Sequence, residues 1–150
     1  MTPVPDDFSE FLRLLNENGV EYLVIGGYAV NFHGYPRTTD DMDIWVAIRR
    51  DNADRMLKAL HAFGFGGAHA RREMFLKDDQ IIRMGVAPVR IEIATTIAGV
   101  KFDACYARRV QGELGGVPVP FISLEDLRKN KAAAGRHKDL ADLDQLPERP

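Results

Sequence analysis

V-I-G-G-Y-A-V-N-F-H-G-Y-P-R-T-T-D-D-M-D-I-W-V, residues Val24 to Val46, is the stretch whose reading decides the fold. It reads as the end of a strand, a Gly26-Gly27 turn, a short helix, a polar loop, and a second strand that opens on two spaced carboxylates. Neither glycine has a Cβ, so the backbone there can approach a phosphate closely. The helix that follows turns free N–H groups and the positive end of its dipole toward the same place. Asp41 and Asp43 alternate with Met42 and Ile44. On a strand, residues i and i+2 face the same way, roughly 7 Å apart. Two hard oxygen donors opposite a phosphate cradle suit a divalent metal carrying a nucleotide.

Outward from this stretch, the chain reads as alternating helices and strands. Asp6 to Asn18 has an apolar stripe of Phe8, Phe11, Leu12, Leu14 and Leu15, with Asp6 or Asp7 as the expected cap and Asn18-Gly19 as the stop. Val20 to Ile25 ends in a continuous apolar run, which predicts a central, buried strand. Tyr28 to Phe32 fits a short helix ended by His33-Gly34, and Tyr35 to Asp40 is a Pro-punctuated loop. In the strand Met42 to Ile48, Met42, Ile44, Val46 and Ile48 share a face meant for helices. Asp41, Asp43, Trp45 and Ala47 share the other. Asp40 belongs to the loop, and Trp45 reads as packing.

Asp51 is the expected cap of a helix through Phe63, with Ala53, Met56, Leu57, Leu60 and Phe63 at helical spacing and Gly64 and Gly66-Gly67 beyond it. Ala68 to Asp79 is either a loop or a short strand around Met74-Phe75-Leu76; the segment Gly66–Asp79, with Arg71 and Arg72, is either an acceptor groove or an ordinary surface loop. Gln80 to Gly85 and Pro88 to Thr95 are predicted strands; Val89, Ile91 and Ile93 alternate with Arg90, Glu92 and Ala94. Lys101 to Arg109 is a short helix. Val110–Leu114 and Val117–Ile122 form a hairpin about Gly115-Gly116, with Pro118 and Pro120 keeping it at a sheet edge. Ser123 caps a helix to Ala134, Gly135 closes it, and a last helix carries Leu140, Leu143 and Leu146 before Pro147.

These elements predict one α/β (α+β) domain over residues 1–150, with a small, mixed, twisted sheet and helices packed mainly on one face. Its expected core is Leu23, Val24, Ile25, Ile44, Val46, Leu57, Leu60, Ile91 and Ile93. A net charge of −2 argues against a polybasic membrane protein or one that coats nucleic acid, and leaves room for a local basic groove. Cys105 is the only cysteine, which excludes an internal disulfide and a Cys-based zinc site. His33, His61, His69 and His137 lack metal-ligand spacing. The first residues show no basic n-region or apolar h-region, and no run approaches a membrane span, so the cytoplasm is the expected compartment.

G-G followed, after a helix and a loop, by D-h-D-h on a strand (h apolar) resembles the DNA polymerase β-like nucleotidyltransferase superfamily, through Gly26, Gly27, Asp41, Met42, Asp43 and Ile44. The run R-T-T-D-D-M-D-I-W-V and the tail V-P-V-P-F-I-S-L-E-D-L-R-K-N-K-A-A-A-G-R-H-K-D-L-A-D-L resemble the small bacterial members related to the AbiEii toxin-type nucleotidyltransferases. The resemblance implies metal-dependent transfer of a nucleoside monophosphate from a nucleoside triphosphate to a hydroxyl, with release of pyrophosphate. It implies Mg2+ or Mn2+ held by Asp41 and Asp43. It also implies a third carboxylate from a neighbouring strand as ligand and as base near the acceptor.

Glu92 is the candidate for that third position, where the subgroup more commonly has Asp; its other reading is a plain ion pair with Arg90. Gly26, Gly27, Arg37, Lys131 and Lys138 are the expected triphosphate contacts, with Thr38 and Thr39 orienting the loop. Lys131 and Lys138 also read as solvated helix cations, and Arg136 as a partner of Asp139. A tRNA, a protein and a small molecule all offer the hydroxyl this chemistry needs. Two rival readings stand beside the enzyme: a nucleotide-binding module with weak catalysis, and one half of a toxin–antitoxin pair.

Overall fold

The computed structural model describes residues 4–65, 71–86 and 89–150. In chain order these form α1 (Asp6–Glu17), β1 (Tyr22–Ile25), α2 (Gly26–Phe32), β2 (Asp41–Val46), α3 (Arg50–Ala62), a 3-10 turn (Arg72–Phe75), β3 (Ile81–Val86) and β4 (Val89–Ala94). Then come α4 (Phe102–Ala107), β5 (Val110–Leu114), β6 (Val117–Phe121), α5 (Leu124–Ala134) and α6 (His137–Gln145). The six strands make one mixed sheet in the order β3-β4-β2-β1-β6-β5. β1 runs antiparallel to β2 and parallel to β6; β2 runs parallel to β4; β3–β4 and β5–β6 are antiparallel.

Register puts Tyr22, Val24, Met42, Ile44, Val46, Ile91 and Ile93 on one face, and all are buried. Helix α1 lies on this face, where Tyr22 donates its hydroxyl to Asn16 at 2.9 Å, and α3 packs on α1 through Phe11 and Phe63. Of the expected core only Leu57 is partly buried; Met56 and Ala59 take the inner positions of α3. The opposite face is closed at one end, where Trp45 meets Phe102 of α4 edge-on and donates to the Thr95 carbonyl at 3.1 Å. Trp45 is therefore packing. The other end of that face carries Asp41 and Asp43.

Three local expectations are corrected. Neither Asp6, Asp7 nor Asp51 caps a helix: Pro5 and Arg49 hold the N-cap positions of α1 and α3, and the aspartates sit in the first turns. An aspartate there still favours the helix through the dipole. Helix α2 starts at Gly26 itself, two residues earlier than its apolar pattern. The segment around Met74-Phe75-Leu76 is a 3-10 turn whose anchor is the buried Phe75, rather than a strand.

The β5–β6 hairpin does lie at one edge of the sheet, with β5 outermost and β6 between β5 and β1. In the β5–β6 hairpin, Leu114 and Val117 bracket the two glycines, and Pro118 and Pro120 alternate with the hydrogen-bonded positions. Their missing N–H groups face the β1 side, where β6 pairs with β1 only at Val24↔Phe121. The Pro118 carbonyl on that side is taken by the Asn16 amide at 2.7 Å. Gly66-Gly67, His69 and Pro88 lie outside the described residues.

Candidate active site

Strand register assembles the carboxylates. Asp43 on β2 is the direct partner of Glu92 on β4 and of Ile25 on β1, and Asp41 is the partner of Arg90. Asp43 and Glu92 are hydrogen-bonded to each other. Burial, then the charges of Glu92 and Asp41, push the Asp43 carboxyl up to about 7; the Lys138 ammonium opposes the shift. Two carboxylates in contact resist double ionisation, so the pair holds a proton where a cation would be favoured. Arg90 clasps Asp41 with two bonds of 3.2 and 2.9 Å and stands 3.7 Å from Glu92. Arg83, opposite Glu92 on β3, reaches it at 3.2 Å.

The two glycines bring α2 against this cluster. Gly26 has φ 66, and a Cβ there would stand 2.9 Å from the Asp43 carboxyl carbon. A Cβ on Gly27 would stand 2.7 Å from Thr39 Cβ and 3.3 Å from the Arg37 guanidinium. Both are closer than side chains tolerate, so the G-G pair is required where the helix start, the loop and the carboxylate strand converge. Gly26→Ala is expected to cost about 2 kcal/mol from its backbone conformation and the clash together, and to weaken nucleotide binding. Gly64→Ala is also at positive φ, with no atom within 4 Å of the new Cβ. It carries the backbone cost alone, so a thermal melt of the two variants isolates the contact with Asp43.

The C-terminal cations divide. Lys131 is buried and bonds both Asp139 at 3.2 Å and Asp142 at 3.0 Å. Asp142 also receives Arg37 through bonds of 2.8 and 3.0 Å, and Asp139 receives Arg136 at 2.7 Å. Arg37, Lys131 and Arg136 are thus joined through two carboxylates into one chain that ties the loop before β2 to α5 and α6. Lys138 is exposed and acts by charge on Asp43. Arg136 is also sensitive to the charges of Asp43 and Glu92, so the start of α6 overlooks the carboxylate pair.

Residues 7–146 match the aminoglycoside-2''-adenylyltransferase family. The chain belongs to that family. No match is found among curated protein sequences. Among solved structures, a Thermotoga maritima protein assigned as a nucleotidyltransferase aligns with a TM-score of 0.61 at 16% identity, over 92% of this chain and 88% of its own. The antibiotic-resistance factor ANT(2'')-Ia, in its solution structure, aligns with a TM-score of 0.56 at 12% identity, over 93% of this chain and 80% of its own. At such identities the likeness shows the fold alone, and that fold is the nucleotidyltransferase one the G-G and D-h-D-h elements pointed to.

In this aminoglycoside-adenylyltransferase family member, several neighbours of the site went unread in the sequence. Arg83 could have been found from strand alternation, since it shares the face of Glu92; Arg90 reads in the sequence as a partner of Glu92, and its two-bond clasp falls on Asp41. Asp139 and Asp142 are spaced to share one face of α6. The Arg136–Asp139 pair is legible in the sequence; nothing local announces that Lys131 joins it, or that Arg37, over a hundred residues away, binds Asp142. Among the described residues no three His, Cys, Asp or Glu side chains stand together as a ready metal cage, because Asp41 is turned to Arg90. His33 donates to the Ile122 carbonyl at 2.7 Å. The buried Cys105 thiol is pushed up to about 11 by burial and then by Asp126, so it is not a nucleophile at neutral pH. No helix among the described residues is long and apolar enough to cross a membrane.

Proposed function

We propose that this family member is a divalent-metal-dependent nucleotidyltransferase that moves a nucleoside monophosphate from a triphosphate to an acceptor hydroxyl. The observation that carries the reading is the Asp43–Glu92 pair, side by side on parallel strands with Gly26 packed against Asp43. ATP is the donor suggested by the family's adenylyl chemistry. The donor set suits Mg2+ or Mn2+: hard carboxylate oxygens in contact, with the Asp43 carboxyl pushed up to about 7 by burial and by the charges of Glu92 and Asp41. Asp43 and Glu92 would hold the metal, with Asp41 as a third donor once Arg90 releases it. Bound there, divalent ions would neutralise the triphosphate and clamp the attacking and leaving oxygens of an in-line displacement.

The chain's own residues would divide the rest of the work. The first N–H groups of α2 and the Lys138 ammonium would face the triphosphate. Glu92 would take the acceptor's hydroxyl proton as that oxygen bonds to the α-phosphorus and the bond to pyrophosphate breaks. Arg37 and Lys131 would serve by holding the loop and α6 in place.

The test is a Mg2+ titration near pH 6.5 followed by thermal melting and by proton release. Metal binding requires Asp43 to ionise, so the wild type is expected to release protons and to melt higher as Mg2+ is added. Asp43→Asn is expected to do neither. An identical response in the two proteins would sink the metal assignment. Nucleotide binding without turnover on any acceptor would favour the weakly catalytic binding module. A toxin–antitoxin role of AbiEii type is a second biological setting for the same chemistry, suggested by the sequence resemblance of the run Lys131–Leu140; a partner gene next to this one would favour it.

A further inference from the structure

We infer that Arg90 is the built-in counter-ion of the carboxylate cluster, and that a divalent ion fills the site by taking Asp41 from it. The inference rests on the metal-dependent reading of the site and names the residue that sets its affinity for the ion. Three carboxylates share the open face at this end of the sheet: Asp41 and Asp43 on β2, and Glu92 on β4. Two guanidinium groups are bonded to them, Arg90 from β4 and Arg83 from β3. The two arginines hold their carboxylates in different ways.

Arg90 is the strand partner of Asp41 and engages both of its oxygens, Oδ1 at 3.2 Å and Oδ2 at 2.9 Å. Both atoms that Asp41 could offer an ion are therefore engaged, and the guanidinium beside them repels a second cation. Glu92 is held from one side. Arg83 at 3.2 Å and Arg90 at 3.7 Å both approach its Oε1, so Oε2 lies outside the arginine contacts. Glu92 keeps an oxygen for an ion while Arg83 stays; Asp41 keeps none while Arg90 stays. The guanidinium of Arg90 also has a way out. Its side chain is 38% exposed, and its partner on the β3 side is Gly85, which places no side chain over it. Leaving Asp41 for water gives up a partly exposed ion pair, a weak interaction by itself. A doubly charged ion on the same hard oxygens replaces it with a stronger one.

The experiment adds Mn2+ to the full chain without nucleotide and counts the free ion by electron paramagnetic resonance. The buffer is at pH 8, where protons compete least for the carboxylates, and thermal melting with Mg2+ is followed in parallel. The wild type is compared with Arg90→Gln, Arg83→Gln, Asp41→Asn and the double variant Arg90→Gln/Asp41→Asn. Arg90→Gln is expected to bind Mn2+ at least about tenfold more tightly than the wild type. It is expected to melt lower than the wild type without metal, because the three acids lose their counter-ion, and to close that gap as Mg2+ is added. Arg83→Gln is expected to tighten binding by less than about threefold. In the Asp41→Asn background the effect of removing Arg90 should shrink to the level of Arg83→Gln, since the clasp is already gone.

Unchanged or weaker binding by Arg90→Gln would overturn the inference. Equal tightening by Arg83→Gln would overturn it too, because summed charge rather than the clasp would then set the affinity. So would a tightening that survives in full when Asp41 is already Asn. Each of these results, with the ion still bound by the wild type, leaves the metal-dependent reading standing. No binding and no melting shift in any of the five proteins would overturn that reading, and this inference with it.

Discussion

Asp43→Asn is expected to lower nucleotidyl transfer by on the order of a thousandfold or more and, in the same protein, to raise thermal stability at pH 8. The two effects share a cause. Asp43 is pressed against Glu92 and near Asp41 in a partly buried position, and its carboxyl is pushed up to about 7 from a usual 3.8. A raised folded-state value means that the folded protein binds the proton more tightly than the unfolded chain. Stability therefore falls as pH rises from about 4 to about 7 and stays low above that. Discounted for the side chain's partial exposure, the cost at pH 8 is on the order of 2 kcal/mol. Asparagine keeps the size and a hydrogen bond to Glu92 and removes the charge. Urea unfolding from pH 4 to pH 8 should show the wild type losing stability across that range and the variant holding it. A variant less stable than wild type at pH 8 would contradict the electrostatic account even if activity were lost.

Lys131→Met carries the second large effect, in the opposite direction. Methionine fills a similar volume, so the loss is one of charge. It leaves Asp139 and Asp142, both buried, without the ammonium they share. Removing one member of a buried ionic cluster costs about 3 kcal/mol, and for a chain of this size that corresponds to a drop in melting temperature of about 10 °C. The dependence on pH is again specific. Burial works against the charge of both carboxyls, but the bonds from Arg136, Arg37 and Lys131 outweigh it and hold both below the usual carboxylate range. Their stabilisation is present above the unfolded value near 3.9 and is lost as pH falls through the lower folded values. The gap between wild type and Lys131→Met should therefore be widest at neutral pH and close in acid. A gap that persists unchanged in acid would mean that packing, not the ion cluster, carries the effect.

The site was legible in the sequence where chemistry follows chain periodicity. Alternation on a strand is enough to put Asp41 and Asp43 on one face; the resemblance asks for a third carboxylate, and alternation offers Glu92 as the candidate. A parallel pairing then sets Glu92 directly beside Asp43. Gly26-Gly27 was legible as a special backbone position, but not for the full reason: these glycines admit Asp43 and Thr39 as much as any ligand. Ser123 and Gly135 closed α5 as read, with Ser123 accepting the Asp126 N–H at 3.1 Å and Gly135 left-handed at φ 66.

Where partners lie far apart along the chain, the reading stopped short. Lys131 looked like a surface cation because helical spacing does not reveal that Arg37 and α6 close over it. Arg90 looked like a neighbour of Glu92, while its two-bond clasp falls on Asp41, across the β2–β4 pairing. The prolines of β6 rightly put the hairpin at a sheet edge, but they did not reveal that β5 is the outermost strand.

The most direct test of nucleotidyl transfer follows two labels on the donor. ATP carrying label on the α-phosphate, and separately on the γ-phosphate, is incubated with Mg2+, the protein and a lysate of the source cells, beside Asp43→Asn. The account predicts that α-label becomes covalently attached to an acceptor, that γ-label leaves as pyrophosphate, and that neither occurs in the variant. Attachment of γ-label, or attachment of α-label undiminished in Asp43→Asn, would contradict it.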